Sequence, residues 1–569
     1  MTERQRHIDE LRERPDVTVL IIGGGINGVG LLRELALQGV DAVLVDKSDF
    51  CSGASAGLTR MVHGGLRYME FGEFKLVREA VMDRNALLRN APHFVFPLAT
   101  TIPLFKRISG AISMARRFFH LGGRRAAHRG SLLVRIGLMM YDLFTRKHRV
   151  MPKRRFASRG EALAARPLLR GDIIGTATYY DAYITYPERL GLEIALDAEA
   201  LSPEARALNY VSLQGAVGDI VQLRDELADL TFEVRPRIVV NATGGWIDFT
   251  NAAMGLDTRL IGGTKGGHLV LDNDDLYQTL AGEMIYYETA EGRVAVTLPW
   301  LGKCIIGSTD IRVGNPDDVR CTDEEVDYML DSIRQVLPDL NVGREHILSR
   351  FTGIRPMRYS EADATVSVSR SHHCEVIEPT EGIAFPLYAM AGGKWTTFRA
   401  FAEQVADMLL QRLDLPRLAD SHDMPIGGGK DFPPDDEARR QWLDDLARQT
   451  GLSPDRAETL LGRYGTKALE IARFIAEKPD QPLRHHPGYT RREIEFILTR
   501  ERVARIDDLL MRRTAVGLLG ELTDALYAEL VAVMAELRGW SFQQACQEAA
   551  RGAEILLDRF GISVVPPAR

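Results

Sequence analysis

Three glycines, Gly23, Gly25 and Gly28, stand in the order G-x-G-x-x-G, and Asp46 closes the apolar run that follows them. Glycines at this spacing allow a tight turn, a close backbone approach to a pyrophosphate, and close packing of a helix on a strand. Free N–H groups at the helix start suit phosphate, and the carboxylate is placed to accept bonds from ribose hydroxyls. The flanks agree. VTVLII predicts a strand, VGLLRELALQ a helix closed by Gly39, and DAVLVD a second strand, all within residues 17–46. The segment reads as a dinucleotide site in which Asn27 is a further contact. The motif alone does not separate NAD from FAD.

A second stretch, MVHGGLRYMEFGEF (61–74), suits neither a helix nor a plain strand. Gly64-Gly65 predicts a turn, followed at once by Arg67 and Tyr68. PRIVVNATGGW (236–246) predicts a buried strand ending at Thr243 and Gly244. LYAMAGGKWTTFRAFAEQVADMLL (387–410) predicts a strand, a turn at Gly392-Gly393, then Thr396 and a long amphipathic helix. That helix start is receptive to an anion; in a flavoprotein it would face the ring edge where charge develops on reduction.

The elements that must position these residues follow from the rest of the chain. HLVLD, RVAVTLPW and KCIIGSTD, between residues 268 and 310, predict an antiparallel sheet. PIGGGKDFPPDD (425–436) reads as a linker by composition, and helical patterning dominates beyond it. Ser453 with Pro454, and Ser541 with Gln544, are start signals for two of those helices.

With 569 residues, 45% hydrophobic and 26% charged, the chain has the composition of a soluble globular protein of several domains. Five scattered cysteines without a CxxC argue against a disulfide framework or a zinc site and fit a reducing compartment. No apolar run is long enough for a transmembrane helix, and the charged N-terminus is not a secretory signal. Residues 106–155 carry fourteen Lys or Arg and one acid, Asp142, although the net charge is −7. Interleaved apolar residues let such a segment lie on an anionic membrane surface or form a solvated face; nucleic acid is the weaker partner.

The stretches VLIIGGGINGVG, VHGGLRYMEFGEFKLVREA, NATGGW, KGGHLVL, LPWLGKCIIGSTD, GIRPM, AGGKWTTFRAFAE and ARIDDLLMRRTAVGLL run in one order along the chain. Together they resemble the FAD-dependent glycerol-3-phosphate dehydrogenases of the aerobic, quinone-linked kind. The resemblance implies an α/β + α architecture: a glutathione-reductase-like FAD-binding Rossmann domain, an antiparallel-sheet substrate domain and a C-terminal helical domain. The expected segments are 15–105, 166–260 and 346–415 for the FAD-binding domain, 106–165 for a basic helical insertion, 261–345 for the substrate sheet and 425–569 for the helices. Implied with it are oxidation of glycerol 3-phosphate at C2 by hydride transfer to FAD, electrons passed to membrane quinone, and a homodimer peripheral on the inner face of the cell membrane.

On this resemblance His268 is the base and Arg355 a stabiliser of the forming alkoxide. Arg67, Tyr68, Lys394 and Arg355 hold the phosphate, for which forked or charge-assisted donors are suited. Gly64 and Gly65 let backbone approach the flavin, while Ser55 and Thr59 sit in the loop that lines it. His63 reads as a core histidine and Lys265 as exposed. The loop GASAGLTR departs from the family: Ala56, Gly57 and Leu58 replace small polar residues, and Arg60 stands where a lysine is usual. Erythritol- or threitol-phosphate is therefore an alternative substrate, and a flavin amine or amino acid oxidase or a non-catalytic flavin module are further readings. GASAG also fits a nucleophile elbow, but no apolar strand leads into it. Adjacent histidine pairs at 372–373 and 485–486 lack metal-ligand spacing.

Overall fold

A computed structural model describes residues 3–69, 73–105, 131–144, 150–289, 292–359 and 372–566. The Arg67 side chain and most of the basic segment lie outside the described residues. Two sheets organise the rest. The first has the order His373–Ile377, Leu387–Ala391, Leu230–Asn241, Asp16–Ile22, Ala42–Asp46, Ala205–Asn209. Its last five strands are mutually parallel. Every apolar residue of the run VTVLII is buried, as expected of a strand covered on both faces. Helices Ile26–Leu37, Pro187–Leu201 and Phe398–Leu413 cover one face. The helix Glu3–Glu13 and the ribbon Val211–Val217/Ile220–Asp225 cover the other, with Ile8 and Leu11 fully buried.

The second sheet runs Ile311–Arg312, Thr264–Leu271, Lys303–Gly307, Val294–Trp300, Met284–Glu288, Val95–Leu104, Gly175–Ile184, Met61–Val62. Ile347–Arg355 also pairs with Thr264–Leu271. All pairings are antiparallel except that between Met284–Glu288 and Val95–Leu104. The sheet thus draws Val95–Leu104, Gly175–Ile184 and Ile347–Arg355 from segments that the sequence assigns to the cofactor domain. The chain passes between the two sheets more often than its composition reveals.

Helices fill residues 436–560, and Ser453 and the Ser541/Gln544 capping box start two of them as expected. Gly427–Gly429 is not a loose linker. It forms a buried single turn in which a Cβ on Gly428 would meet the Tyr464 carbonyl oxygen at 1.9 Å. A π-helical turn, Leu509–Arg513, delivers two arginines to the first domain. Arg512 Nε bonds Asp49 Oδ2 at 2.6 Å, and Arg513 grips both Asp49 oxygens at 2.7 and 2.8 Å. Burial alone would raise the Asp49 pKa, but the two guanidiniums outweigh it and hold the carboxylate ionised. This clamp anchors the loop that follows the Asp46 strand.

Candidate active site

One cleft of about 720 Å³ joins the glycine turn to the antiparallel sheet. Gly23, Gly25, Asn27, Asp46, Ser55, Thr59, Thr243, Gly244, Gly392, Gly393 and Thr396 all line it, as do Tyr68, His268, Arg355 and Lys394. Residues far apart in sequence therefore meet along one surface.

The glycine turn follows the expected physics. Gly23 has φ +111°, and a Cβ on Gly28 would lie 1.9 Å from the Gly23 carbonyl oxygen, so the helix touches the turn only because Gly28 lacks a side chain. Ser55 Oγ accepts the Ile26 N–H at 2.9 Å, fixing the helix start to the following loop. Ser55 is buried, unlike the exposed serine of a nucleophile elbow. Asp46 Oδ2 accepts the Gly24 N–H at 2.6 Å and Oδ1 that of Ser48 at 2.8 Å. Burial pushes the Asp46 carboxyl up to about 6 despite these bonds. Among the described residues, Asn27 Oδ1 is buried without a hydrogen-bond partner. A helix start whose N-cap, Gly25, brings no capping side chain, an orphaned amide oxygen and a carboxylate at the second strand end together fit the pyrophosphate and ribose of a dinucleotide.

The His-Gly-Gly turn works differently from the expectation. Gly64 and Gly65 do not line the cleft; their neighbours His63 and Tyr68 do. Gly65 has φ +77°, and a Cβ there would meet Tyr68 Cδ2 at 2.5 Å and Lys394 Nζ at 2.7 Å. The space a Gly64 side chain would need holds the Tyr141 hydroxyl. The missing side chains make room for Tyr68, Lys394 and Tyr141. Asp181 Oδ1 accepts the Gly64 N–H at 2.9 Å and pairs with Arg84 at 2.7 Å, which fixes the turn. Lys394 Nζ lies 3.7 Å from the Tyr68 ring centroid, a cation–π contact that holds both. Half-buried His63, read as a core residue from sequence, stacks toward Tyr68 at 6.4 Å.

Arg355 ends a strand and lies back across Gly266. A Cβ on Gly266 would fall 2.2 Å from Arg355 Nη2. The guanidinium bonds Ser308 Oγ at 2.7 Å, the Thr309 carbonyl at 3.0 Å and Asp310 at 3.2 Å. The GSTD run, expected only as a strand end, is thus what aims Arg355. Lys265 is buried rather than exposed: it donates to Glu325 at 2.5 Å and to the Arg320 carbonyl at 2.7 Å. Arg60 also leaves the cleft. It pairs with Glu188 at 2.9 and 3.0 Å and packs over Trp300, all buried.

His268 is 2% exposed. Its ring stacks on Phe351 at 4.9 Å, and its Nε2 stands 2.8 Å from Thr59 Oγ1. Burial, then Arg355 and Arg60, push its pKa down to about 3, so the imidazole is neutral at ordinary pH.

Residues 18–408 match the family described as FAD dependent oxidoreductase, more than half of the chain. The chain belongs to that family. This FAD-dependent oxidoreductase also matches, over residues 419–545, the C-terminal domain of alpha-glycerophosphate oxidase. It is 29% identical to a glycerol-3-phosphate dehydrogenase of Synechocystis over 92% of this chain and 94% of that one. It is 28% identical to the aerobic glycerol-3-phosphate dehydrogenase of Staphylococcus aureus over 90% and 89%. The FAD complex of glycerol-3-phosphate dehydrogenase from Bacillus halodurans has the same fold, with a TM-score of 0.74 at 23% identity over 98% and 97% of the chains. The cofactor is therefore FAD, and the glycine turn, Asp46 and Asn27 are the residues of this chain that fit it.

Proposed function

We propose that the protein oxidises sn-glycerol 3-phosphate to dihydroxyacetone phosphate and passes the electrons to a membrane quinone. The observation that carries this reading is one cleft holding the FAD-type turn together with Arg355, Lys394 and the neutral His268. The names of the two dehydrogenase relatives support the same substrate. Bound at this turn, FAD would supply the acceptor for a hydride from C2. Arg355, held by Ser308 and Asp310, brings its positive charge to an anion or to the forming alkoxide. Lys394 adds charge beside Tyr68, and Arg67 joins them on the sequence reading. His268 takes the hydroxyl proton; a nearby dianionic substrate raises its basicity from the low value of the free site. Arg355 and Lys394 at the cleft wall favour a phosphate over an amine.

Anaerobic bleaching of the bound flavin tests this. Glycerol 3-phosphate should bleach the visible spectrum within seconds, and Arg355→Lys should weaken substrate binding at least tenfold while FAD stays bound. Bleaching by four-carbon polyol phosphates alone would move the substrate, and normal kinetics in Arg355→Lys would remove its phosphate role.

A further inference from the structure

We propose that Thr59 is the group that first takes the substrate's hydroxyl proton, and that His268 receives it through Thr59. The inference deepens the function proposed above and rests on it.

His268 is nearly closed off from the cleft at 2% exposure, whereas Thr59 is half-buried and lines the same cleft. The imidazole has little freedom to turn outward. Phe351 stacks on it at 4.9 Å with an interplanar angle of 11°. On the neighbouring strand, a Cβ at Gly307 would lie 2.3 Å from His268 Cδ2, so that glycine supplies the space the ring occupies. The position of Nε2 is thus fixed, and its partner at 2.8 Å is Thr59 Oγ1. Thr59 is held just as firmly. The next residue, Arg60, is locked by Glu188 and by Trp300, and its carbonyl accepts the Ile184 N–H at 2.8 Å. A buried ring with one nitrogen committed to a hydroxyl at the cleft wall is the geometry of a two-step proton path.

The transfer balances. With the ring proton on Nδ1, Thr59 donates its O–H to Nε2. As the C2–H electron pair leaves with the hydride, the C2–O bond becomes a carbonyl and the substrate O–H breaks. That proton goes to Thr59 Oγ1 while the Thr59 proton goes to His268 Nε2. Thr59 ends unchanged and His268 carries the charge. Aspects of the site already described fit this cycle: the neutral ring has the capacity to accept, and Arg355 is placed to steady the alkoxide.

The test uses the full-length FAD-loaded protein in stopped-flow anaerobic reduction by glycerol 3-phosphate. Thr59→Val should slow bleaching by about 100-fold or more, the range of general acid–base contributions, with FAD content and substrate Kd changed less than threefold. Thr59→Ser, which keeps the hydroxyl, should stay within tenfold of wild type and keep a solvent deuterium isotope effect. His268→Gln and the double variant should be no slower than Thr59→Val by more than a few fold, because groups acting as one unit are not additive. A Thr59→Val protein that bleaches within threefold of wild type overturns the relay, as does equal slowing in Thr59→Ser. Loss of FAD in Thr59→Val with normal rates in the loaded fraction also overturns it, since that is a loop-anchoring role. A wild type inert to glycerol 3-phosphate instead overturns the substrate reading, and the relay with it.

Discussion

Arg355 owes its aim to a missing side chain. The guanidinium rests where a Gly266 Cβ would be, and Ser308, Thr309 and Asp310 hold its far edge. Gly266→Ala should therefore raise KM for glycerol 3-phosphate about tenfold or more without altering FAD content; an unchanged KM would show that the arginine binds equally well when displaced. His268 gives a second prediction through linkage. Its folded pKa, about 3, lies below the ordinary 6.5, so between those values the unfolded chain binds the extra proton and stability falls as pH falls. His268→Gln removes that dependence, about 1.4 kcal/mol per pH unit. The wild type should lose more Tm than the variant between pH 6 and 4, and equal losses would mean that His268 is protonated in the folded state. The glycine turn and Asp46 were legible because their spacing has a local meaning. The bond from Thr59 to His268 was not, since the partners are 209 residues apart and meet only when the two sheets join.

The elements follow the same division. Strand and helix types read correctly around the glycine motifs and at the capped C-terminal helices, where the local pattern is strong. The membership of Val95–Leu104 and Gly175–Ile184 in the second sheet did not, because strand pairing is non-local. The altered loop now has a structural account. A Cβ on Gly57 would lie 2.3 Å from Gly353 Cα, so this loop and the strand ending at Arg355 touch backbone to backbone. A serine, the family's small polar type, does not fit at Gly57 in this arrangement. The clamp on Asp49 is the other joint between elements, and it explains why the IDDLLMRRT run carries so much charge. Asp49→Asn leaves Arg513 buried with a neutral partner, while Arg512 keeps Asp507 and Asp508, and breaking a buried pair typically costs roughly 3–5 kcal/mol. A Tm several degrees lower and faster proteolysis within the C-terminal helices are expected; unchanged values for both would reduce the clamp to a passive contact.

At the scale of the whole molecule the uneven charge matters most. The chain is acidic overall at −7, yet residues 106–155 hold fourteen cations and one acid. No described helix is long and apolar enough to cross a membrane. Within the basic segment the helix Ser131–Phe144 buries Val134, Leu138 and Tyr141 against the protein and exposes Met139 and Met140 at 53% and 45%. The same Tyr141 hydroxyl bonds Arg84 at 2.8 Å, which in turn holds the Asp181 that fixes the Gly64 turn. A surface helix with outward methionines, in a stretch of sequence rich in cations and tied to the Gly64 turn, suits an anionic bilayer, where each Lys or Arg near the surface contributes about 1 kcal/mol. The protein should therefore sediment with anionic vesicles at low salt, stay in solution with neutral ones, and be released as ionic strength rises. Combining Arg124→Glu, Arg125→Glu, Arg146→Glu and Lys147→Glu, all outside the described residues, should abolish sedimentation and slow quinone reduction while anaerobic bleaching by substrate proceeds as before. If the quadruple variant sediments like the wild type, the basic segment is a solvated face rather than a membrane contact.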